Sequence, residues 1–538
     1  MGTYLNSGNQ NFINSINSDI FVDKTSMIGY INKLINTNQR YISVSRPRRF
    51  GKTMAVDMLN AYYSAGSSRE LFEDKKIASF EKWDVYLNRF DVIKVVMTRF
   101  IKDHISVEDS LEKLQKMVTR EICKAYPDVD YYDKNDLIQT LDDVYAEEKK
   151  QFIIIIDEWD AVFRVRKDDK AGQERYLDFL RDWFKDKEYV ALAYMTGILP
   201  IKKYGKHSAL NMFFEYSMIS PMQFAEFTGF TEDEVTDLCK KYNRDFEEIK
   251  KWYNGYEVNG LKDFNNDRDL CKYSIYSPLS VVNAITNGYI KNYWNDTETY
   301  EALAEYIRIN KDGLKDTVAL MMDGVKVKID TSGYQNDMMT FTNKDDILTL
   351  LIHLGYLAYD DLKKEVFIPN NEVMDEFRVS TKSNEWLDTF ENFKISQELL
   401  KATWACDENR VAQLIEDAHD KTDNKNYNNE VALSYTVQYA YYAAQKYYTT
   451  IQELDTGKGY ADLAFLPAPQ YADKPALIIE LKYGKSALEA IDQIKQKNYV
   501  DRYYHYKGNI ILIGINYDNT LSSKNKEYKR HSCIIEKN

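Results

Sequence analysis

The sequence predicts an α/β protein in which two regions of alternating strands and helices flank a mostly helical middle region. Three patterns support this prediction. Residues 1–235 alternate apolar strand-like stretches with helical periods, residues 236–384 are mainly helical, and strand-like stretches return within residues 385–538. A chain of 538 residues is too long for one ordinary core, which agrees with three domains at these boundaries.

The N-terminal region contains five candidate strands. They are short apolar runs rich in β-branched and aromatic residues, at residues 41–45, 92–98, 152–157, 190–196 and 214–219. Helical periods lie between them, for example over residues 107–125 and 172–186. Strands separated by helices are typical of βαβ units, so we expect a mainly parallel sheet.

The rest of the chain contains weaker patterns. Residues 347–359 predict a helix and residues 365–369 a short hairpin after it, an arrangement that would make the middle region winged-helix-like. A polar helical stretch, 385–419, is followed by residues 421–429, which have no hydrophobic period and predict a linker or exposed loop. The final region predicts, in order, a helix, two strands, a helix and a strand, at residues 431–448, 461–465, 477–482, 487–499 and 509–515.

Composition restricts the class of protein. Hydrophobic residues make up 44% of the chain and charged residues 29%, which is typical of a folded protein and not of a disordered one. The net charge of −13 argues against a wholly basic surface for nucleic acid. Residues 421–538 nonetheless contain 16 Lys and Arg against 13 Asp and Glu, which favours this part of the chain for contact with phosphates.

Cysteine usage and apolar runs indicate the compartment. The five cysteines lie far apart with no C-x-x-C pair, so no zinc site or disulfide framework is predicted and a reducing cytosol is favoured. The N-terminus lacks the basic and apolar segments of a signal peptide. The longest apolar run, around residues 153–156, is too short to cross a membrane. We therefore expect a cytoplasmic protein with no membrane partner.

Gly51-Lys52-Thr53 follows an apolar strand and predicts a phosphate-binding loop. Glycine lets backbone amides approach a phosphate, lysine brings a positive charge to the β- and γ-phosphates, and the threonine hydroxyl is a ligand for Mg²⁺. The helix that follows would direct its positive N-terminal dipole at the anion. The usual pattern has a glycine five residues before Gly51, where this chain has Arg46. An ordinary loop is the alternative interpretation of the three residues alone.

An acidic pair ends the apolar strand at residues 152–157 and provides the second motif of this site. Asp157 is expected to hold Mg²⁺ through water, and Glu158 to orient or deprotonate an attacking water. A solvated strand end is the alternative interpretation of two acids. The phosphate-loop motif about a hundred residues upstream, between a strand and a helix, argues against this alternative.

Other residues of this region are weaker candidates. Thr196 ends the next strand, where a polar side chain can sense a γ-phosphate. Arg99, Arg164, Lys202 and Lys203 could neutralise charge in a transition state, but each fits a solvated surface charge better.

A second candidate site lies near the C-terminus. Asp462 follows a glycine-containing segment, and Glu480 and Lys482 stand two residues apart in the next apolar strand. Residues i and i+2 of a strand project from the same face, so Glu480 and Lys482 should lie together, joined by Asp462 if the strands are neighbours. Two carboxylates bind Mg²⁺, and an adjacent lysine, with its pKa lowered by apolar surroundings, can position a water for attack on a phosphodiester. An exposed strand with alternating charges is the alternative.

Two further residues are accessory candidates at this second site. Glu430 opens the preceding helix and could add an acid near the metal, and Gln493 lies on the following helix, within reach of the site or a substrate backbone. For both, an ordinary helix-surface position is an equally good interpretation.

Motifs spread over nearly the whole chain resemble those of bacterial AAA-ATPase-like proteins that carry a C-terminal PD-(D/E)XK nuclease-superfamily domain. The resemblance is carried by Phe21-Val22-Asp23-Lys24-Thr25, Arg46-Pro47-Arg48-Arg49-Phe50-Gly51-Lys52-Thr53, Asp157-Glu158-Trp159-Asp160, Thr196-Gly197, Trp252-Tyr253-Asn254-Gly255-Tyr256, Tyr276-Ser277-Pro278, Gly355-Tyr356-Leu357, Asp462, Glu480-Leu481-Lys482 and Gln493-Ile494-Lys495. It implies a P-loop NTPase domain with an AAA- or RecA-like parallel sheet over residues 1–235. It also implies a helical middle domain over 236–384 and a restriction-endonuclease-like α/β domain over 385–538.

The resemblance also implies roles for individual residues. An arginine in place of the first P-loop glycine is the rule in this family, so Arg46 no longer argues against membership. Nucleotide contact is expected from the loop and strand-end residues Arg46, Arg48, Arg49, Gly51, Lys52, Thr53, Asp157 and Thr196. Mg²⁺ is expected at Thr53 and Asp157, with Glu158 as the catalytic acid/base.

In the nuclease superfamily, the positions that match Asp462 and Glu480 bind metal and the position that matches Lys482 is catalytic. The chain departs from its relatives before the first acid, where Tyr460-Ala461 stands in place of a frequent arginine. This difference weakens one expected contact with a phosphate backbone.

Two functions from different classes agree with these motifs. The leading hypothesis is a protein that binds and hydrolyses ATP and is coupled to Mg²⁺-dependent cleavage of nucleic acid, DNA in the first instance. The alternative is a nucleotide-binding switch or scaffold whose nuclease-like domain is inactive or only binds DNA, and a third variant is an ATPase with such a DNA-binding domain. ATPases of this type often act at subunit interfaces, so a homo-oligomer is a further expectation.

Overall fold

A computed structural model of the chain describes residues 2–201, 210–262, 269–294, 300–383, 386–420, 430–455, 460–496, 509–518 and 530–538. The chain divides into two compact units. Unit 1 contains Met1–Leu314 and Lys326–Ser380, and unit 2 contains Lys315–Val325 and Thr381–Asn538. The N-terminal region and the middle region, apart from residues 315–325, therefore form one unit, and the chain leaves that unit after Ser380, close to the predicted boundary at residue 384.

Unit 1 is built around a five-stranded sheet. Its strands are β1 (Tyr41–Ser45), β2 (Asp91–Val96), β3 (Phe152–Asp157), β4 (Val190–Gly197) and β5 (Phe214–Tyr216). Their order is β2-β3-β4-β1-β5, and all pairs are parallel. Every residue of β1, β3 and β4 is buried, because helices cover both faces of the sheet. The predicted parallel α/β sheet is confirmed.

Seven helices precede or connect these strands. They are α1 (Gln10–Ile16), α2 (Ser26–Asn32), α3 (Lys52–Tyr63), α4 (Val107–Ala125), α5 (Leu137–Glu148), α6 (Ala161–Val165) and α7 (Lys170–Phe184). The long connections begin with side-chain caps: Ser106 accepts the amide of Asp109 at the start of α4, and Asp136 accepts two amides at the start of α5. The predicted helix 107–125 coincides with α4.

The remainder of unit 1 contains both helices and small antiparallel sheets. Its helices are α8 (Glu232–Tyr242), α9 (Phe246–Tyr253), α10 (Pro278–Asn287), α11 (Tyr300–Arg308), α13 (Lys344–Leu354) and α14 (Asn371–Ser380), with α12 (Leu314–Met322) between α11 and α13 along the chain. The strands are β6 (Phe230–Thr231), β7 (Tyr256–Lys262), β8 (Asp269–Tyr276), β9 (Val327–Lys328), β10 (Ala358–Asp360) and β11 (Glu365–Phe367). They form two three-stranded sheets, ordered β6-β8-β7 and β10-β11-β9. Helix α13 followed by the β10–β11 hairpin has the predicted order of helix and hairpin, but the helix ends at Leu354 and the last two residues of the predicted helix, 358 and 359, belong to β10. The β7–β8 pairing was not predicted.

Unit 2 has a mixed five-stranded sheet with helices around it. Besides most of α12, its elements are α15 (Leu387–Ala405), α16 (Glu408–Asp420), α17 (Glu430–Ala440), β12 (Tyr448–Asp455), β13 (Tyr460–Pro467), β14 (Ala476–Tyr483), α18 (Ala487–Gln496), β15 (Ile510–Tyr517) and β16 (His531–Lys537). The order is β12-β13-β14-β15-β16; β14 and β15 are parallel, and the other pairs are antiparallel.

The helix predicted over residues 431–448 is too long. Helix α17 ends at Ala440 and a short 3₁₀ turn, Tyr442–Lys446, leads into β12 at Tyr448. The run Tyr448–Ile451 is aromatic and β-branched and pairs with β13, so tertiary pairing prevails over the continued helical period. The predicted linker 421–429 lies outside the described residues.

Candidate functional site

The phosphate loop joins the carboxyl end of β1 to α3. Gly51 precedes the first helical residue and has φ +85°, a left-handed conformation that glycine adopts without strain. The N-cap residue Gly51 provides no side-chain cap to α3, so the amides of the first turn are available to donate hydrogen bonds to an anion. The sequence GKT therefore produces the backbone geometry that a phosphate needs.

Lys52 is buried beside this loop. Its ammonium donates to the carbonyl oxygens of Arg46, at 2.9 Å, and Pro47, at 2.6 Å. Burial lowers the pKa of Lys52 to about 8, and the nearby carboxylates of Asp160 and Asp157 oppose that change. The lysine thus lies within the loop and close to the acidic strand end.

Arg46 has a different position from the one expected. Its guanidinium is 2% exposed and donates to three backbone carbonyls, those of Ser45 (2.7 Å), Tyr216 (2.9 Å) and Phe224 (3.2 Å). Burial lowers the pKa of Arg46 to about 10. The Arg46 side chain therefore stabilises the loop from inside the protein. It does not line the cleft described below, so it has a supporting position in place of the expected nucleotide contact.

The acidic strand end meets the loop. Asp157 is 1% exposed; one carboxylate oxygen accepts from the Thr53 hydroxyl at 2.8 Å, and the other accepts from the Thr196 hydroxyl and from the amide of Glu158 at 3.0 Å. Burial raises the pKa of Asp157, and the two hydroxyl hydrogen bonds oppose this effect. The carboxyl ends of β1, β3 and β4 thereby bring three residues predicted from separate motifs into one hydrogen-bonded group.

Glu158 follows in a strained backbone conformation, with φ +54°. Its side chain is 37% exposed, and its carboxylate lies 3.9 Å from the guanidinium of Arg164. Arg164 also donates to Asp160 at 3.1 Å. Asp160 is fully buried and accepts the amides of Ile198 and Leu199 at 3.0 Å each.

Sequence reasoning did not assign a site role to Asp160, although an acid within an apolar stretch is a signal for a buried, bonded carboxylate.

The cationic candidates other than Arg164 contribute less to this site. Arg99 is exposed and does not line the cleft, and Lys202 and Lys203 lie outside the described residues.

These residues line one cleft of about 660 Å³, a size typical of sites for small ligands. The polar part of its lining consists of Arg48, Arg49, Gly51, Lys52, Thr53, Glu158 and Arg164. The apolar part includes Ile20, Val22, Phe230, Pro278, Leu279 and Val282. A lining with both charged and apolar side chains suits a ligand with a phosphate chain and a flat organic base.

Motifs from the middle of the sequence pack against the phosphate loop. The Phe50 ring meets the Tyr256 ring edge to face, with centroids 5.4 Å apart, and the Tyr256 hydroxyl donates to the carbonyl of Gly355 at 2.6 Å. A Cβ on Gly355, which has φ +91°, would lie 2.8 Å from the Pro47 ring. The W-Y-N-G-Y and G-Y-L motifs therefore support the loop by close packing.

The second candidate site lies on β13 and β14 of unit 2. The register pairs Leu463 with Ile479, and its extension by one residue places Asp462 opposite Glu480. Asp462 accepts the amide of Leu481 at 2.7 Å. The three candidates Asp462, Glu480 and Lys482 therefore lie together at neighbouring strand positions, as the sequence predicted.

Glu480 and Lys482 are both buried and joined. The Lys482 ammonium donates to the Glu480 carboxylate at 3.0 Å and to the carbonyl of Leu481 at 3.1 Å. Gln493, on α18, also donates to Glu480. Glu430 begins α17, and its side chain lies outside the described part of the chain.

Within the described residues, no group of three or more His, Cys, Asp and Glu side chains is arranged to hold a metal ion. Over the same residues, no helix combines the length and apolarity that crossing a bilayer requires.

Comparisons with known proteins agree with the two sites. Residues 7–205 match the family model of predicted AAA-ATPases, and residues 432–527 match the PD-(D/E)XK nuclease superfamily. A curated relative, an uncharacterized protein in the vnfD 5′ region of Azotobacter chroococcum mcd 1, is 23% identical over 294 residues, which are 53% of this chain and 52% of the relative. The chain thus spans about half the length of this relative.

Three solved structures are distantly similar to the chain. Cdc6p from Pyrobaculum aerophilum is 10% identical, with a TM-score of 0.23, over 70% of this chain and 97% of its own. The Aeropyrum pernix ORC2 protein is 10% identical, with a TM-score of 0.20, over 67% and 94% of the two chains. C. elegans PCH-2 is 12% identical, with a TM-score of 0.17, over 66% and 68%. Scores of this size do not bear on the fold.

The two family matches fall on the two sites that the structure assembles, one on each compact unit. The chain therefore combines an AAA-ATPase-like domain over residues 7–205 with a PD-(D/E)XK nuclease-superfamily domain over residues 432–527.

Proposed function

We propose that the protein binds and hydrolyses ATP and is coupled to Mg²⁺-dependent cleavage of phosphodiester bonds in nucleic acid by its C-terminal domain. The observation that carries the first part is that Lys52, Thr53 and Glu158 line one cleft, which also has apolar lining residues, and that Asp157 is hydrogen-bonded to Thr53 and to the amide of Glu158. The observation that supports the second part is the joined, buried pair Glu480 and Lys482 beside Asp462.

The residues at the phosphate loop fit a Mg²⁺–nucleotide complex. The Thr53 hydroxyl and the Asp157 carboxylate are hard oxygen donors, 2.8 Å apart in a direct hydrogen bond, and they would hold the ion. Mg²⁺ supplies neutralisation of phosphate charge when it is bound. Lys52 and the amides that begin α3 bind the phosphate chain, and Glu158 orients a water and accepts its proton.

The C-terminal site fits a single Mg²⁺ held by few protein ligands. Mg²⁺ usually takes one or two carboxylates and completes its shell with water and phosphate oxygens, so Asp462 and Glu480 are a sufficient pair. Gln493 holds the Glu480 carboxylate in place. Lys482, fixed by that carboxylate and by the carbonyl of Leu481, positions the attacking water and offers a positive charge to the scissile phosphate.

ATP turnover by the purified full-length chain tests the first part. Phosphate release should require Mg²⁺, and Glu158→Gln should reduce it at least about 100-fold while it leaves ATP binding intact, because the amide cannot accept the proton of water. Glu108→Gln removes an exposed acid on α4 and is the matched control. Turnover that is unchanged in Glu158→Gln would contradict hydrolysis at this site.

Cleavage of labelled single- and double-stranded DNA and RNA, with Mg²⁺ and with or without ATP, tests the second part. Lys482→Met keeps the length of the side chain without its charge and should abolish cleavage, whereas Lys495→Met, on the exposed side of α18, should not. A wild-type chain that binds nucleic acid without cutting it would support the alternative, a nucleotide-dependent switch whose C-terminal domain only binds DNA.

A further inference from the structure

Arg164 is held in a fixed orientation next to the cleft. It lies on the short helix α6, its side chain is 11% exposed, and its Nε donates to Asp160 at 3.1 Å. The same Asp160 oxygen also accepts the amides of Ile198 and Leu199, which follow strand β4 directly. A carboxylate that is itself anchored to the sheet therefore sets the direction of the guanidinium.

One terminal nitrogen of Arg164 has no hydrogen bond. Its Nη2 is buried and makes no hydrogen bond to any residue that the structure describes. A carboxylate oxygen of Glu158 lies 3.9 Å from this nitrogen, which is an ion-pair distance beyond hydrogen-bond range. A buried donor without an acceptor costs free energy, and a ligand oxygen in the cleft that Arg164 lines would remove that cost.

The charged residues around this nitrogen indicate which kind of ligand the cleft would bind. Lys52, Glu158 and Arg164 line the same cleft, and Arg164 is close enough to lower the pKa of Lys52 further. Two cationic residues that line one cleft favour a ligand with more than one negative group. Glu158 lies beside Arg164, so the anionic group that Arg164 meets is also the one that an activated water would attack.

We infer that Arg164 is a catalytic residue supplied in cis, whose guanidinium binds the terminal phosphoryl group of a nucleoside triphosphate. This inference rests on the proposed nucleotide site. In hydrolysis, the water oxygen bonds to the γ-phosphorus, the bond from that phosphorus to the β–γ bridging oxygen breaks, and Glu158 takes the proton. Arg164 neutralises the charge that develops on the γ-oxygens, and the diphosphate leaves with the bridging oxygen.

A neighbouring arginine provides a matched control. Arg166 follows α6 by one residue, donates to the carbonyl of Asp103 at 2.6 Å and pairs with Asp169 at 3.2 Å, and it does not line the cleft. Its partners, Asp103 and Asp169, do not line the cleft either. Removal of Arg166 therefore reports what the loss of a structural arginine does in this segment.

Calorimetric titration of the full-length chain with ADP and with the non-hydrolysable β,γ-imido analogue of ATP tests the inference without relying on turnover. Arg164→Ala should weaken binding of the triphosphate analogue at least about tenfold, the effect of one charge-assisted hydrogen bond, and binding of ADP by less than about threefold. Arg166→Ala should change both affinities equally and slightly. Arg164→Lys, which keeps the charge, should recover part of the loss and guards against misfolding of the alanine variant.

Single-turnover ATP hydrolysis is the second readout, where Arg164→Ala should reduce the rate about 10³-fold. Equal weakening of ADP and analogue, or no weakening of either, overturns the role of Arg164 even if the wild type hydrolyses ATP. If the wild type binds both nucleotides, prefers the triphosphate analogue through Arg164 and does not hydrolyse ATP, Arg164 is a γ-phosphate-binding residue without a catalytic step and hydrolysis is refuted. If the wild type binds neither nucleotide, both proposals fail.

Discussion

Glu372 is a buried acid whose ionisation should control the stability of unit 1. It lies on α14 and is 1% exposed. One carboxylate oxygen accepts the amides of Tyr293 and Trp294, at 2.8 and 3.1 Å, and the other accepts the hydroxyl of Ser280 at 2.8 Å. Ser280 belongs to α10, whose first turn also lines the nucleotide cleft through Pro278.

Burial raises the pKa of the Glu372 carboxyl from 4.5 to about 7, although the three hydrogen bonds oppose this rise. Between these two pH values the folded protein keeps a proton that the unfolded chain has released. The free energy of unfolding therefore falls as pH rises through this window. At about 1.4 kcal/mol per pKa unit, the loss approaches about 3 kcal/mol once pH exceeds the folded pKa.

The substitution Glu372→Gln removes the ionisation and keeps the shape. Its amide oxygen can accept the two backbone amides, and its NH₂ group can donate to Ser280. The variant should match the wild type near pH 5 and exceed its unfolding free energy by about 3 kcal/mol at pH 8. Urea unfolding followed by tryptophan fluorescence, measured at several values between pH 5 and pH 8, gives this difference.

The pH dependence of the difference decides the outcome. A difference between variant and wild type that stays constant from pH 5 to pH 8 would refute the reasoning, because Glu372 would then titrate alike in the folded and unfolded chains. Glu108→Gln, at an exposed position on α4, serves as the control for loss of an acidic charge as such.

Three further predictions concern the two sites. Nucleotide affinity should fall by up to about tenfold per pH unit above pH 8, measured by titration in buffers of constant ionic strength, because the lowered pKa of Lys52 leaves a neutral amine there. Tyr256→Phe should lower the unfolding free energy of unit 1 by about 1–3 kcal/mol in urea denaturation, since it leaves the Gly355 carbonyl without its hydroxyl donor. Asp462→Asn should weaken Mg²⁺ binding at least about tenfold, measured by calorimetry, and leave ATP turnover unchanged.

The N-terminal sheet could be predicted because each of its central strands is a continuous apolar run. Residues 152–157, for example, are buried on both faces, and only a strand covered by helices tolerates such a run. The β7–β8 hairpin and β12 were not predicted, since their residues are aromatic and polar in mixed order. β7 is a strand because it pairs with β8, and β12 is a strand because it pairs with β13.

The candidate sites likewise combine features that the sequence predicts with features that depend on distant contacts. The candidate residues could be selected from the sequence because the types and spacing of phosphate and metal ligands are restricted. The direction of Arg46 could not, because its acceptors are carbonyls that lie 170 and 178 positions later in the chain. The orientation of Arg164 likewise depends on Asp160 and on amides beyond the next strand.

The short segment Lys315–Val325 makes the chain pass between the two compact units three times. Its Asp323 forms an ion pair with Lys446, at 2.7 Å, more than a hundred residues further along. During synthesis on the ribosome, α12 therefore leaves the exit tunnel long before the sheet of unit 2 exists. Genetically, a single crossover at the start of Thr381–Asn538 would transfer unit 2 without one of its helices. A truncated gene that is meant to encode the whole of unit 2 must therefore include residues 315–325 as well as residues 381–538.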